Sequence, residues 1–189
     1  MADSMIRLAF GNTIVTLALS RPLSRQSEGL LVPANVRGVM AAGLAGEIRV
    51  RAGRDVEDEL LAHRPLSIGR AYRTGPGRLS ALGVKVLAHA VTSNEPGTPP
   101  QPIQSERGLR AALELLEETG MRTVTLPLVE VARGQAGGAA HGRSYGSLLT
   151  SHLRRRSRLR EVTIAGLDRD FLTGLDAYLR EAGAIPIKA

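Results

Sequence analysis

Two stretches of small residues, each placed after an apolar, β-prone run, carry the chemistry most directly readable in this sequence. The first runs from Pro33-Ala34-Asn35 through Ala41-Ala42-Gly43-Leu44-Ala45-Gly46, the second from Arg133-Gly134-Gln135-Ala136-Gly137-Gly138 through Gly142. Small residues let a backbone approach a ligand closely, and the amides at a helix start donate to phosphate oxygens. Two such loops facing one crevice suit a pyrophosphate. Arg133 beside Gly134 adds a guanidinium, whose paired donors match phosphate oxygens. Asn35 has two readings: a ligand contact, or a side chain that satisfies backbone groups after its strand. Each glycine-rich stretch also has a plain alternative as a flexible connection.

Other chemistries have less to work with. Cysteine is absent, which excludes thiol nucleophiles, thiolate zinc sites and disulfides. Of four histidines, His89 in an apolar strand reads as a hydrogen-bonded core residue, His63 as a helix-end group and His152 as structural. His141, in the glycine-rich segment, is the one histidine to test. No two histidines share a helix at ligand spacing with a carboxylate, so no metal site is expected. Ser144 and Ser147 follow glycines without a G-x-S-x-G elbow. Glu57, Asp58 and Glu59 read as a solvated helix start, where acids suit the dipole. Glu130 reads as a carboxylate at the rim of the crevice. Arg154-Arg155-Arg156, with Arg158 and Arg160, is the densest basic run; it either complements a helix end or grips a phosphate backbone.

A scaffold has to position these groups. The 189 residues, 43% of them hydrophobic, suffice for one sizeable core. A net charge of +7 favours anionic partners, while 3% aromatics and no tryptophan argue against stacking platforms for single strands. Residues 5–10 and 13–19 predict a hairpin turned by Gly11-Asn12. After a connection at 21–28, residues 29–33 predict a buried strand stopped by Pro33. Helices are expected at 39–50 and 56–62, then a strand at 84–91 and an extended proline-rich loop at 95–102. Ser105 is expected to cap a helix carrying Leu109, Ala112, Leu113 and Leu116 and stopped by Gly120.

A strand at 123–131 leads into the glycine-rich segment 133–146, which opens into a helix carrying Leu148, Leu149 and Leu153. A strand at 161–167, a helix at 168–182 and a short strand at 184–187 complete the pattern. Strand–helix alternation of this kind predicts a parallel or mixed sheet covered on both faces. One domain spanning 1–189 is expected. With no run of eighteen apolar residues and no signal-like N-terminus, a cytoplasmic protein without membrane contact is expected.

Read in series, several motifs point to a known family. Leu30-Leu31-Val32-Pro33-Ala34-Asn35, then Ala42-Gly43-Leu44-Ala45-Gly46-Glu47-Ile48 and Ala52-Gly53, resemble I-V-N-A-A-N, G-G-G-V-A-G-A-I and A-G of the macro domain family. Gly69-Arg70-Ala71-Tyr72-Arg73-Thr74 resembles that family's G-x-A-x-x-T. Val86 to Val91 is similar to its V-I-H strand, and Thr123-Val124-Thr125-Leu126-Pro127 to its S-I-A-F-P strand. The resemblance covers roughly 20–179, with the hairpin 5–19 outside it. It implies a three-layer α/β/α mixed sheet with helices on both faces, binding ADP-ribose between two loops, with no cofactor. The ligand-binding positions it implies are Arg21, Pro22, Ala34, Asn35, Ala42, Gly43, Leu44 and Ala45, then Arg133, Gly134, Gln135, Ala136 and Gly137 of the second loop, and Leu167.

The departures sharpen these expectations. Arg21 stands where the family carries an aspartate that accepts from the adenine amino group, and an arginine cannot accept. Val32 replaces the first asparagine of the motif, whereas Asn35 is kept. Ala45 stands where hydrolytic members of one branch carry an aspartate. Leu167 stands where an aromatic often stacks on adenine. The first reading is therefore binding of ADP-ribose or a related nucleotide diphosphate. The second is an ADP-ribosyl hydrolase with Asn35 as its catalytic residue and a bound water. The third is a nucleic-acid or protein-binding domain using Arg154, Arg155, Arg156, Arg158 and Arg160.

Overall fold

The computed structural model describes residues 5–128, 138–155 and 157–187. Glu130, the second-loop positions Arg133, Gly134, Gln135, Ala136 and Gly137, and Arg156 lie outside the described residues. In chain order the elements are β1 (Met5–Phe10), β2 (Thr13–Leu19), β3 (Gly29–Asn35), α1 (Gly43–Ala52), α2 (Asp55–Leu61), β4 (Ala71–Thr74), β5 (Val86–Ser93), α3 (Pro102–Glu118), β6 (Thr123–Pro127), α4 (Gly138–Leu153), β7 (Glu161–Gly166), α5 (Arg169–Glu181) and β8 (Ile185–Pro186). Short 3-10 turns occur at Pro22–Ser24 and Gly77–Leu82. The chain divides into two compact units.

The unit built on Gln26–Met121 orders its strands β4-β5-β3. β3 runs parallel to β5 from Gly29 opposite Val86 to Ala34 opposite Val91; the register then shifts and sets Asn35 opposite Ser93. β4 is antiparallel to β5. Every residue of β5 is buried, as in a strand covered on both faces. α3 packs on β5 through buried Leu109, Ala112, Leu113 and Leu116. Gly108 brings it close, since a Cβ there would lie 2.8 Å from Thr92 Cγ2.

Several expected boundaries move. Pro33 sits inside β3 and does not end it. α3 begins at Pro102, with Gln101 and Gln104 forming a capping box, so Ser105 is a buried residue within the helix rather than its cap. The segment Gly69 to Thr74 supplies β4, a strand absent from the sequence reading.

The other unit orders its strands β6-β7-β2-β1-β8. β6, β7 and β2 are parallel; β1 pairs antiparallel with β2 through the expected hairpin and with β8. β6 ends at Pro127, with Leu128 already outside the strand, earlier than the expected 131. Helices α4 and α5 pack against each other. α4 starts at Gly138, so much of the expected glycine-rich loop is helical. Its glycines serve packing: a Cβ on Gly142 would lie 2.0 Å from the Phe171 carbonyl oxygen, and one on Gly146 would lie 2.7 Å from Tyr178 Cδ1. Spaced four apart, they share a helix face, and on α5 Gly174 meets the Ala139 backbone in the same way. Among the described residues no helix is long and apolar enough to cross a membrane.

Candidate functional site

Ligands of open α/β sheets gather at the carboxyl ends of strands. At the end of β3 the chain does not enter a helix at residue 39, as its apolar spacing predicts; α1 begins at Gly43. Side chains hold the intervening loop open. Asn35 is buried, and its Nδ2 donates to the Val39 carbonyl at 2.9 Å while its Oδ1 accepts from the Arg37 amide at 3.1 Å. Of the two readings of Asn35, the structure displays the loop-supporting one. One residue beyond Val39, the Met40 amide donates to Glu57 Oε1 at 2.7 Å, and Glu57 Oε2 accepts from Arg49 Nη1 at 3.0 Å. Gly38, at φ +66, supplies the turn, where a Cβ would press on Leu66.

Beyond Met40 the loop emerges: Ala41, Ala42 and Gly43 are exposed, and Leu44 and Ala45 are half-buried. Ala42 occupies the cap position of α1 without a capping side chain, and the helix's first backbone bond runs from Gly46 N to Ala42 O at 3.0 Å. The amides of Gly43, Leu44 and Ala45 thus have no acceptor within the helix. Gly43 has φ +58, and nothing lies within 4 Å of where its Cβ would be. A fixed base, an open tip and a positive helix end form a donor set suited to an anion. At the other end of α1, Arg78 Nη2 donates to the Val50 carbonyl at 2.9 Å. Ala34 lies in β3, half-buried, just before this loop.

Glu57 overturns its expectation as a solvated acid. It is 7% exposed, whereas its neighbours Asp58 and Glu59 face solvent. The signal was present in the sequence: Val56, Glu57 and Leu60 share one arc of a helix, and Asp55, Asp58 and Glu59 lie on the other.

In the second unit, Arg21 and Pro22 follow the carboxyl end of β2, and Leu167 follows that of β7. These strand ends are adjacent, with Leu19 opposite Gly166. The structure therefore brings Arg21, Pro22 and Leu167 to one edge. Leu167 is 69% exposed and Arg21 is exposed. Gly166 is closely covered: a Cβ there would lie 2.1 Å from Leu128 Cγ. Asp168, next in the chain, caps α5 by accepting from the Phe171 amide at 2.9 Å.

The remaining candidates separate by place. His89 is fully buried, with Nε2 2.8 Å from Thr74 Oγ1, as a core histidine should be. Burial first, and then the charge of His63, push its pKa down to about 3. His63 Nε2 lies 3.1 Å from the Arg73 carbonyl, and His152 is buried in α4. His141 is half-buried in the first turn of α4 rather than in a loop. Arg154 and Arg155 follow the end of α4, while Arg122 and Arg160 precede β6 and β7. The Arg160 amide donates to Arg122 O at 2.8 Å, Arg122 Nη1 to Arg158 O at 3.0 Å, and the Arg154 guanidinium lies 5.5 Å from the Phe10 ring centroid. These arginines gather at the amino ends of the parallel strands, the edge opposite to Arg21 and Leu167.

Strands buried beneath helices, with an amide-rich loop where β3 gives way to α1, define an α/β protein of the class that presents ligand loops at strand ends. The chain belongs to the macro domain family, whose model matches residues 32–136, more than half of its length. It is similar to the Oceanobacillus iheyensis macrodomain with MES bound, at TM-score 0.77 and 14% identity, covering 96% of this chain and 98% of that one. It is also similar to the Trypanosoma brucei macrodomain in complex with ADP-ribose, at TM-score 0.71 and 18% identity, covering 89% of this chain and 69% of that one. An uncharacterised protein of Aeropyrum pernix is 24% identical over 172 residues, 91% of this chain and 88% of the relative. The expected α/β/α fold is thereby shown.

Proposed function

We propose that the chain binds ADP-ribose or a closely related nucleotide diphosphate, with the diphosphate against the amides of Gly43, Leu44 and Ala45. The first loop carries this reading, with its base fixed by side chains and an uncapped helix start at its tip. Macro domain membership supports the ligand class, and so does likeness to a macrodomain seen in complex with ADP-ribose. Ala34, Asn35 and Ala42 line the same loop. Arg21, Pro22 and Leu167, together with residues 133–137, belong to the proposal through the family resemblance.

Binding is preferred to hydrolysis. Asn35 commits both ends of its side-chain amide to the loop, and Ala45 has no group that moves a proton. The test is Gly43→Glu. Nothing packs where its side chain would go, and Gly43→Ala, which carries the same backbone strain at φ +58 without the charge, is the reference against which a carboxylate meeting the diphosphate is read. Like-charge juxtaposition costs several kcal/mol, so ADP-ribose affinity should fall on the order of a hundredfold. Unchanged affinity would remove the loop from the site.

The arginine edge favours a second reading, contact with the phosphate backbone of nucleic acid. Exposed Arg154, Arg155, Arg158 and Arg160 are the groups concerned. Changing Arg154, Arg155 and Arg158 to alanine should flatten the salt dependence of DNA or RNA binding by about one unit of slope per lost phosphate contact. An unaltered slope would dismiss this reading.

A further inference from the structure

The buried carboxylate of Glu57 is unexplained by the fold alone. A carboxylate taken from water needs charge or hydrogen-bond compensation, and both of its oxygens find it on elements that shape the ligand loop. Oε1 accepts from the Met40 amide at 2.7 Å, at the point where the loop leaves its buried base. Oε2 accepts from Arg49 Nη1 at 3.0 Å, two turns into α1. The carboxylate thus fixes the loop and the helix whose start the loop precedes at one point on α2. Met40 as a residue is 2% exposed, so its amide is poorly placed to turn to water if the carboxylate is lost.

We infer that Glu57 is a positioning residue for anion binding. It holds Met40, and through Arg49 the start of α1, so that the amides of Gly43, Leu44 and Ala45 point together into the space left open beside Gly43. This deepens the proposed function and rests on that reading. Asn35 fixes the near end of the loop and Glu57 the far end, leaving Ala41 to Gly43 as the exposed tip. Glu57 itself touches no ligand. Its effect is on the geometry of donors, which a preorganised anion site needs in place before the anion arrives.

The test is calorimetric titration of ADP-ribose into the unaltered protein, Glu57→Ala and Glu57→Gln, with amide hydrogen exchange followed on each without ligand. Stoichiometry reports the fraction of folded protein, and Kd reports the site. Glu57→Ala should keep one site per folded chain while Kd rises at least tenfold, with faster exchange at the Gly46 amide, whose bond to Ala42 O closes the first turn of α1. Glu57→Gln keeps an acceptor for the Met40 amide and should recover most of the affinity and the protection. Where alanine prevents folding, Glu57→Asp serves, since it keeps the charge but withdraws the oxygen by one methylene. A merely structural role would lower stoichiometry or thermal midpoint and leave Kd unmoved, and that result would overturn the inference. If the unaltered protein bound no ADP-ribose, the nucleotide reading would fail by itself. Exchange at the Gly46 amide would then decide the positioning role: faster in Glu57→Ala and restored in Glu57→Gln upholds it, and unchanged exchange overturns it.

Discussion

His89 shows how a residue type that often does chemistry serves the interior here. Its ring is buried on β5, one nitrogen meets Thr74 Oγ1, and the other has no partner among the described residues. Charging it in place is disfavoured, which pushes its pKa from 6.5 to about 3. Below pH 6.5 the unfolded chain binds a proton that the folded chain refuses, so stability is complete above that value and is lost as pH falls towards 3. The expected slope in that window is about 1.4 kcal/mol per pH unit from this group. Denaturant titrations across that range should show a shallower pH dependence for His89→Gln, which can still reach Thr74, than for the unaltered protein. Equal slopes would contradict the assignment. At the same scale, Asn35 stood out as a candidate from its motif, but whether its amide supports the loop was not legible there. Only the positions of Arg37 and Val39 show its amide turned back on the loop. Glu57 was misread because an acidic run invites averaging, although its arc on the helix set it apart from Asp58 and Glu59.

Among the elements, the strands and helices of strong period appear where their patterns put them, and apart from the unread β4 the errors collect at ends. The hairpin 5–19, α2 and α5 follow their signals closely. The start of α1 does not, because apolar spacing cannot reveal that Asn35 and Glu57 hold residues 36–42 out of the helix. The glycines of α4 were misassigned for a related reason: composition cannot separate a loop glycine from one that lets two helices touch. That distinction is testable. Gly142→Ala gains up to about 1 kcal/mol of helix propensity. It also forces a methyl to within 2.0 Å of the Phe171 carbonyl oxygen, a backbone atom that cannot step aside alone. Overpacking of this kind costs about 1–3 kcal/mol and sometimes more, so the clash should win. Chemical denaturation should show a net loss for Gly142→Ala and a change within about 0.5 kcal/mol for the exposed control Ser144→Ala, whose hydroxyl donates to Ala140 O of its own helix. A stabilised Gly142→Ala would mean that α4 and α5 are not so closely packed.

At the level of the whole molecule, the +7 charge is unevenly used. Several arginines are spent on structure: Arg78 closes the end of α1, Arg49 neutralises Glu57 and Arg37 pairs with Glu95. Others stand exposed at the amino ends of β6 and β7, so charge alone never distinguished a nucleotide site from a polyanion surface. The family was legible because its motifs recur in order, and the family model and the fold agree with it. The candidate ligand positions rest on the resemblance, and departures such as Arg21 and Leu167 alter what each position offers without saying what replaces it. The central claim, a working diphosphate site on the first loop, is tested most directly by calorimetric titration with ADP-ribose, with AMP and inorganic pyrophosphate as comparisons. Micromolar binding of ADP-ribose, about −8 kcal/mol, at one site per chain and tighter than either fragment, is the predicted result; a folded protein that binds none of the three would contradict it.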